Sequence, residues 1–257
     1  MHEQERWQTI LNLVRERPIV SARDLAAVTG ASAATLRRDL ARLDERGLVR
    51  RVHGGVQAIG ATAAARLEAR RFDVSQALFA ERKRAIARRA AALCRDGESI
   101  IINGGSTTFH MVEFLRAARL QILTNSFPIA EALVRQSDNR IILPGGEVYR
   151  DQNIILSPFD EDSIQHYSAS KMFMSAMSIG PLGLVESDPL IARAEAKLLT
   201  RAADLVVVAD SSKFEPRGSI AVAPLARIRR LITDDGAPPA ALAMLREAGV
   251  EVEVVAG

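Results

Sequence analysis

The chain has 257 residues, 48% of them apolar and 25% charged, a composition typical of one large globular domain or two, which excludes wholesale disorder. Its single cysteine, Cys94, excludes a disulfide framework, and no secretory signal or apolar run of membrane-spanning length is present, so we expect a cytoplasmic protein without a membrane partner. Residues 1–96 carry 19 Lys and Arg against 11 Asp and Glu, whereas residues 97–257 carry 15 against 20. This asymmetry indicates a polyanion-binding head joined to a different kind of body.

The first 56 residues have the pattern of three short helices followed by a two-stranded ribbon. Apolar residues recur at helical spacing over residues 3–15, and a Ser-x-x-Asp capping box at 21–24 begins a second helix. A third helix follows Ser32 and carries a stripe of three leucines. Residues 48–55 are typical of a ribbon with a Gly-Gly turn. Together these elements predict a winged helix-turn-helix domain over residues 1–56.

The third helix has an arginine-rich face opposite its stripe of Leu36, Leu40 and Leu43. Such a face suits the major groove of duplex DNA, where arginine reaches phosphates and base edges. No aromatic residue lies among these arginines, which disfavours single-stranded nucleic acid. The candidate DNA-binding residues of the helix and the ribbon are Ser32, Thr35, Arg37, Arg38, Arg42, Arg50, Arg51 and His53. The alternative is a solvated helix face on which Asp39 and Asp44 balance the arginines.

The sequence of this head resembles the corresponding part of DeoR-family bacterial transcription regulators. The matching residues are Ala-Ser-Ala-Ala-Thr-Leu-Arg-Arg-Asp-Leu at 31–40 and Arg-Val-His-Gly-Gly at 51–55, with Ala31 where the family usually has valine. The resemblance implies that the partner is double-stranded operator DNA. Because so small a head contacts few base pairs, we also expect a homo-oligomer, either a dimer or a tetramer.

Residues 57–80 contain a run of small side chains and no clear core pattern, which predicts a linker that is partly helical. A helix at 81–90 then begins a second domain that extends over 81–257. This helix carries a cluster of basic residues, Arg82, Lys83, Arg84, Arg88 and Arg89. We expect the cluster to lie on a solvated face of the helix, and the alternative is a further contact with DNA.

Strands and helices alternate along the rest of the chain. The sequence predicts buried strands at 99–103, 121–124, 140–143, 171–176, 204–209, 229–233 and 250–255, and helices at 109–115, 129–135, 191–202 and 240–248. Continuous apolar strands that alternate with helices predict a parallel sheet covered on both faces. The predicted fold class is therefore α/β, with a winged helix-turn-helix in front of a larger parallel-sheet domain.

Small polar residues follow four of these strands. Ligands of parallel sheets bind beyond the carboxyl ends of the strands, and a Gly-rich turn that leads into a helix can hold an anion. The candidate ligand residues are Asn103, Gly104, Gly105, Ser106, Thr107, Thr108, Thr124, Asn125, Gly145, Gly146, Asp210, Ser212 and Lys213. Lys213 can add a positive charge beside a phosphate. The alternative for the Gly-Gly-Ser-Thr-Thr turn is a tight turn with a helix cap.

The second domain resembles the sensor domain of the same family, which shares the fold of ribose-5-phosphate isomerase and glucosamine-6-phosphate deaminase. The matching stretches are Gly-Ser-Thr-Thr at 105–108, Thr-Asn at 124–125, Leu-Pro-Gly-Gly at 143–146 and Asp-Ser-Ser-Lys at 210–213. The resemblance implies a regulator, most simply a repressor, whose second domain binds a phosphorylated sugar. It also implies that Ser106, Thr107, Thr108 and Lys213 hold substrate or phosphate. A regulator that activates when it holds its effector is the alternative.

The loop after the first strand of this domain departs from the common family form Asp-x-Gly-Thr-Thr, because Asn103 stands in place of the aspartate. Asn103 and Ser106, together with residues 152–158, are similar to the L-ascorbate-utilisation repressor subgroup. That similarity implies a sugar-acid or lactone phosphate as effector. The alternative is sequence drift without a change of ligand.

We predict no catalytic residues, cofactor or metal. The strand at 171–176 holds no carboxylate where isomerases of this fold use one for acid–base chemistry. Glu186, Asp188 and Glu195 are other carboxylates, and we expect each to be solvated on a helix face. The four histidines are dispersed without metal-ligand spacing. A sugar-phosphate isomerase-like enzyme with a DNA-binding head is the alternative function.

Overall fold

The structure is a computed structural model that describes residues 2–16, 19–52, 55–58, 72–157 and 162–257. The chain divides into two compact units, Met1–Glu68 and Ala69–Gly257. Residues 59–71, which form much of the predicted linker, lie outside the described residues. None of the described helices is both long and apolar enough to cross a membrane.

The first unit consists of three helices and a three-stranded antiparallel sheet. Helices α1 to α3 span Glu3–Glu16, Ala22–Thr29 and Ala33–Glu45, and strands β1 to β3 span Ile19–Ser21, Val49–Val52 and Gly55–Ala58. Strand β3 lies between β1 and β2, so β1 adds a third strand to the predicted ribbon. This arrangement confirms the predicted winged helix-turn-helix.

Local sequence signals account for the helix boundaries of this unit. The Ser21 hydroxyl accepts a hydrogen bond from the Asp24 backbone N–H at 3.1 Å and thereby caps α2. Gly30 ends the helix with a left-handed φ of 64°, a conformation that glycine adopts without steric cost. Ile10, Leu25 and Leu43 are completely buried, so the three helices share one small core.

The second unit is an α/β domain with seven α-helices and twelve strands among its described residues. Its helices α4 to α10 span Phe72–Ala77, Ala80–Ala91, Ser106–Phe109, Met111–Leu115, Phe127–Gln136, Pro189–Leu199 and Pro239–Glu247. Its strands β4 to β15 span Ser99–Ile102, Gln121–Thr124, Arg140–Ile142, Glu147–Tyr149, Ile154–Leu156, Ala169–Met174, Ser178–Gly180, Gly183–Glu186, Ala202–Val208, Ile220–Ala223, Ile228–Asp234 and Glu251–Val255.

Seven of these strands form one parallel sheet in the order β15-β14-β12-β9-β4-β5-β6. Adjacent strands are in parallel register, with Ile102 of β4 opposite Phe173 of β9 and Thr124 of β5. Strands β5 and β6 follow β4 on one side of it in the sheet. The chain then returns to place β9 on the other side of β4, and β12, β14 and β15 follow beyond β9. The strand order therefore reverses between β4 and β9, which is where open α/β sheets bind ligands.

Successive side chains along β4 point into two different cores. Ile100 and Ile102 pack with α5, α7 and α8 on one face of the sheet, whereas Ile101 packs with α9 and α10 on the other. All three isoleucines are fully buried, as expected of a strand covered on both faces. The prediction of an α/β parallel sheet is confirmed.

The structure also contains elements that the sequence did not predict. Strands β7 and β8 form a hairpin, and β10, β11 and β13 form a small antiparallel sheet. The predicted helix at 109–115 is two short helices, α6 and α7, separated by His110. Helix α4 lies in the predicted linker, and its Phe72 packs edge-on against Phe109 with the ring centroids 5.6 Å apart.

Candidate nucleic-acid interface and ligand site

Ser32 fixes the start of α3. Its hydroxyl accepts from the Thr35 backbone N–H at 3.2 Å, and the two side-chain hydroxyls lie 2.9 Å apart. Ser32 is exposed and Thr35 is partly exposed at this end of the helix. Ser32 therefore caps α3 as predicted, and its hydroxyl is at the exposed amino end of the helix.

The inner face of α3 holds a buried ion pair in addition to its leucines. Asp39 is buried and accepts hydrogen bonds from the Arg6 guanidinium at 2.7 Å and the Trp7 indole at 3.0 Å. Burial alone would raise the pKa of the Asp39 carboxyl, but the hydrogen bonds from Arg6 and Trp7 outweigh it and the pKa is lowered. Asp39 therefore ties α3 to α1, and the alternative in which it balances the exposed arginines on a solvated face does not hold for this residue.

The predicted DNA-binding arginines are exposed, but they differ in their contacts. Arg37 and Arg38 form no ion pair or side-chain hydrogen bond with any residue in the described ranges. Arg42 pairs with Glu3 of α1 at 2.9 Å. Arg50 and Arg51 are exposed on β2, and His53 lies outside the described residues. The structure thus leaves four exposed arginines for an anionic partner.

Asn103 connects the carboxyl ends of β4 and β9. Its side-chain oxygen accepts from the Ser175 backbone N–H at 3.0 Å, and its amide nitrogen donates to the Glu195 carboxyl at 3.0 Å. Asn103 is almost completely buried. The residue that departs from the common family form therefore lies at the reversal of strand order and joins two strands to α9.

The two glycines after Asn103 allow close packing of the loop. The Gly104 backbone N–H donates to the Asn125 side-chain oxygen at 2.8 Å, which joins the ends of β4 and β5. A Cβ at Gly104 would collide with Ile154 of β8, and a Cβ at Gly105 would collide with Ser175. Both positions therefore require glycine for steric reasons.

The hydroxyls of this loop are buried, and most of them contact backbone. The Thr108 hydroxyl donates to the carbonyls of Asn103 and Gly105 at 2.9 Å, and the Thr124 hydroxyl accepts from the Ser126 N–H at 3.1 Å. Ser106 and Thr107 are also buried. The Thr107 hydroxyl has no hydrogen-bond partner among the residues that the structure describes. Buried polar groups are nearly always satisfied, so this hydroxyl is open to a water or a ligand.

Gly145 and Gly146 form an exposed turn after β6. Gly146 has a φ of 149°, and a Cβ there would meet the Leu156 carbonyl of β8. The turn therefore packs against β8 at Gly146, which requires glycine for steric reasons, whereas a Cβ at Gly145 would meet no other atom.

Asp210, Ser212 and Lys213 follow β12. Asp210 is buried, and its carboxylate accepts from the Ser212 backbone N–H at 3.0 Å. Burial would raise the pKa of Asp210, but the charges of Lys213 and Lys83 and the hydrogen bonds from Ser212 outweigh it and the pKa is lowered. Lys213 is half-buried and acts electrostatically on this carboxylate.

Lys83 was predicted to lie on a solvated face of the helix at 81–90, and this is wrong. It is almost completely buried in α5, where its ammonium donates to the Ser75 carbonyl of α4 at 2.5 Å. The same nitrogen lies 3.9 Å from the Asp210 carboxylate. Lys83 therefore links α4 to the end of β12.

The expectation of solvated carboxylates at Glu186, Asp188 and Glu195 is also wrong. Glu195 is buried against Asn103, and Glu186 is buried at the end of β11. Asp188 caps α9 by accepting from the Leu190 N–H at 2.8 Å, and it also accepts from the Tyr149 hydroxyl at 2.8 Å. Helical spacing alone does not indicate which face of α9 is covered.

A cavity of about 410 Å³ lies beside the carboxyl ends of β5 and β6. Asn125 and Pro144 line it at the ends of β5 and β6, and Arg193 and Lys197 line it from α9. Lys197 forms an ion pair with Asp162 at 2.6 Å. The sequence analysis missed these two cations, although their spacing of four residues would have placed both on one face of a helix.

Within the described part of the chain, no group of three His, Cys, Asp or Glu side chains could hold a metal ion.

Two family models match the chain. Residues 6–62 match the DeoR-like helix-turn-helix domain, and residues 79–235 match the DeoR C-terminal sensor domain. The HTH-type transcriptional regulator UlaR of Shigella sonnei (strain Ss046) is 35% identical over 253 residues, which cover 98% of this chain and 99% of that protein. The UlaR of Escherichia coli (strain K12 / DH10B) is 34% identical with the same coverage.

Solved structures also show partial similarity. Ribose 5-phosphate isomerase A from Methanocaldococcus jannaschii matches with 17% identity and a TM-score of 0.37, covering 51% of this chain and 53% of that chain. A transcriptional regulator from Streptococcus pneumoniae TIGR4 matches with 10% identity and a TM-score of 0.41, covering 65% of this chain and 86% of that chain. From the two domain models and the full-length sequence identity, the chain belongs to the DeoR family of helix-turn-helix transcriptional regulators.

Proposed function

We propose that the chain is a cytoplasmic repressor of a carbohydrate-catabolism operon, released from its operator by a phosphorylated sugar or sugar acid. The proposal rests on two features of the chain. Helix α3 carries exposed arginines, and the loop of Asn103 to Thr108 is buried and polar at the point between β4 and β9 where the strand order reverses. UlaR relatives along the full chain support an ascorbate-derived or related sugar-acid phosphate as the effector.

The first unit binds operator duplex DNA through α3 and the β2–β3 ribbon. Arg38 lies on the face of α3 opposite the buried leucines, and Arg37 lies on the flank of the leucine stripe; both are exposed. Arginine at such positions makes bidentate contacts to guanine in the major groove and pairs with phosphates. Arg50, Arg51 and His53 of the ribbon contact the adjacent backbone or minor groove.

The second unit binds the effector at the carboxyl ends of β4, β5 and β12. The loop of Asn103 to Thr108 supplies backbone N–H groups and hydroxyls, and Thr124 and Asn125 border it. Lys213 supplies a positive charge for the phosphate. The turn at Gly145 and Gly146 and the segment at Asp210 and Ser212 complete the site. This placement is supported by the general position of ligands in parallel sheets.

The effector releases DNA by favouring one conformer of an oligomer. At least a dimer is required, because one small head contacts too few base pairs for useful specificity. The effector favours the conformer in which two heads no longer match the spacing of the half-sites. It shifts that equilibrium only by its differential affinity for the two conformers, typically about 1–3 kcal/mol.

We propose binding without turnover for the second unit. Isomerisation of a sugar phosphate requires a carboxylate base within reach of the abstracted proton. Asn103 occupies the position where the common family form has aspartate, and residues 171–176 contain no carboxylate. Incubation with pentose and hexose phosphates should therefore leave them unchanged, and isomerisation at an enzymatic rate would favour the enzyme alternative.

The experiment that tests this function is fluorescence-anisotropy binding to labelled DNA from upstream of the chain's own gene. We expect binding that survives an excess of unrelated competitor DNA. Binding that the competitor removes completely would contradict a specific operator on that DNA.

A further inference from the structure

The cavity beside the carboxyl ends of β5 and β6 combines apolar and polar lining. Its volume of about 410 Å³ lies within the range of small-molecule sites, about 300–1,000 Å³. Ile155 and Leu156 of β8 and Leu190 of α9 contribute apolar surface, and several polar side chains lie among them. Such a lining suits a ligand that has both C–H groups and hydroxyls.

Asn125 lines this cavity and has an unused hydrogen-bond donor. The residue is only 3% exposed, and its side-chain oxygen accepts from the Gly104 backbone N–H at 2.8 Å. That bond fixes which end of the amide is the nitrogen. The nitrogen donates to no residue in the described ranges of the chain. Because buried donors are nearly always satisfied, it is available to a ligand, and through Gly104 it adjoins the proposed phosphate loop.

Asp162 and Lys197 form a charged pair in the wall of the same cavity. The Lys197 ammonium lies 2.6 Å from Oδ2 of Asp162, and the two side chains are 22% and 7% exposed respectively. Oδ1 of Asp162 accepts from the Ile164 backbone N–H at 2.9 Å. Burial would raise the pKa of Asp162, but the hydrogen bonds from Lys197 and Ile164 outweigh it and the pKa is lowered. The pair therefore places a fixed acceptor beside a fixed donor.

The charges that line the cavity cancel. Glu147 and Asp162 are acidic, whereas Arg193 and Lys197 are basic. An anionic phosphate gains little from a lining without net charge. A hydroxyl gains more, because it can accept from Lys197 or Asn125 and donate to Asp162 at the same time.

We propose that this cavity holds the polyhydroxylated carbon chain of the effector, and that Asn125, Asp162 and Lys197 determine specificity by binding its hydroxyls. The inference rests on the proposed effector function and adds the part of the ligand that is recognised beside β5 and β6. Neighbouring strands are about 5 Å apart, so the ends of β5 and β6 lie about 5 and 10 Å from the end of β4. A hexose phosphate with its phosphate at the loop after β4 is long enough to reach the cavity.

The test is calorimetric titration of the full-length protein with four phosphates. L-Ascorbate 6-phosphate, 6-phosphogluconate and glucitol 6-phosphate carry hydroxyls, whereas hexyl phosphate has the charged group on a six-carbon chain without them. We expect at least one hydroxylated compound to bind roughly tenfold or more tightly than hexyl phosphate, since hydrogen bonds to charged groups are lost with the hydroxyls. Hexyl phosphate is measured by competition against that compound.

Two variants separate recognition of hydroxyls from a structural role of the pair. Asp162→Asn keeps the size of the side chain and an oxygen for the Ile164 N–H, but it loses the charged acceptor. It should weaken binding of the hydroxylated compound roughly tenfold and leave hexyl phosphate unchanged. Lys197→Met, which removes the donor, should have the same selective effect. A general loosening of the site would weaken both ligands equally.

Glu98→Gln is the matched control. It breaks a partly buried pair with Lys171 at the amino ends of β4 and β9, away from the cavity. It should bind all four compounds as wild type does. Operator binding and thermal unfolding verify that each variant is folded.

Two results overturn the inference and can be distinguished. If wild type does not prefer the hydroxylated compounds, or if the two variants change neither ligand or both by the same factor, the cavity does not recognise hydroxyls and the effector function stands. If wild type binds none of the hydroxylated phosphates, the proposed effector function fails and this inference fails with it.

Discussion

Arg38 is the side chain that most directly tests the DNA-binding face of α3. It is exposed and has no ion pair with the residues described here, so its removal should leave the head folded. We expect Arg38→Ala to cost about 1–3 kcal/mol of specific operator binding per head while effector binding is unchanged.

The control for this variant is Arg135→Ala, an equal loss of charge on exposed α8. Anisotropy with operator DNA measures both variants. Equal losses in the two would mean that net charge, and not a contact from α3, is responsible.

Lys213 tests the phosphate role at the end of β12. Lys213→Ala should bind operator normally and respond weakly to effector, because the positive charge near the phosphate is lost. The measurement is the effector concentration needed to release operator DNA. Arg229→Ala, near the amino end of the neighbouring strand β14 and therefore away from the carboxyl ends of the strands, should respond as wild type. If Lys213→Ala also responds as wild type, the phosphate role is wrong.

Asp39 gives a pH prediction for the first unit. Its pKa is lowered in the folded state, so its contribution to stability is present at neutral pH and is lost as the pH falls below about 4 toward the folded pKa. Asp39→Ala should destabilise the head by about 3 kcal/mol, because Arg6 loses its buried partner. Trp7, the single tryptophan of the chain, donates to Asp39 and reports the unfolding by fluorescence.

Glu45→Ala on the same helix is the control for Asp39→Ala. Glu45 is exposed, and its replacement should change stability by less than about 0.5 kcal/mol. A stability of Asp39→Ala equal to that of Glu45→Ala would contradict the role of the buried pair.

The residues that sequence analysis placed well are those whose role depends on neighbours along the chain. The Ser32 cap and the buried Leu36 and Leu43 follow from spacing within one helix. Lys83 and Glu195 were misplaced because their burial depends on residues distant in sequence, Asp210 and Asn103. The candidate site residues remain predictions, since their places at the strand ends do not by themselves define a ligand.

At the scale of elements, α4 packs on the rest of the second unit through an aromatic contact of Phe72 and through hydrogen bonds of its backbone. Phe72 is buried against Phe109, and its backbone N–H donates to the Asp151 carbonyl at 3.1 Å. Phe72→Ala should lower the unfolding free energy of the second unit by roughly 3 kcal/mol through the cavity that it leaves. Urea unfolding followed by hydrogen exchange of peptides from residues 99–136 measures the loss.

Phe127→Ala provides the matched control, because Phe127 on α8 is 48% exposed. It should change the unfolding free energy by less than about 0.5 kcal/mol. A Phe72→Ala protein as stable as Phe127→Ala would show that α4 does not pack on α6 in solution.

The strands of the main sheet were predictable because most of them contain a run of apolar residues, whereas the small antiparallel pairings were not predictable. Strand β10 is only Ser178 to Gly180, and β7 is mostly exposed, so neither has a hydrophobic pattern. The break of the predicted helix at His110 has no sequence signal such as proline or glycine. Short elements are defined by their partners, and a single sequence does not reveal those partners.

At the scale of the whole molecule, the positive charge of residues 1–96 predicts strong salt dependence of DNA binding. Four exposed arginines, Arg37, Arg38, Arg50 and Arg51, are available for phosphates on each head. If each displaces one counterion, the slope of log K against log salt is about −0.9 per contact, or near −4 per head. Anisotropy at several salt concentrations measures this slope, and a value near zero would contradict phosphate contacts from these residues.

The central claim is that one chain couples operator binding to a small phosphorylated ligand. The most direct measurement is titration of L-ascorbate 6-phosphate and a panel of sugar phosphates into a preformed complex of the protein with its operator, followed by anisotropy. We expect one compound to release the DNA at a concentration where inorganic phosphate does not. A specific complex that every compound leaves intact would contradict release by a phosphorylated effector, and a compound that tightens the complex would reverse the sign of the regulation.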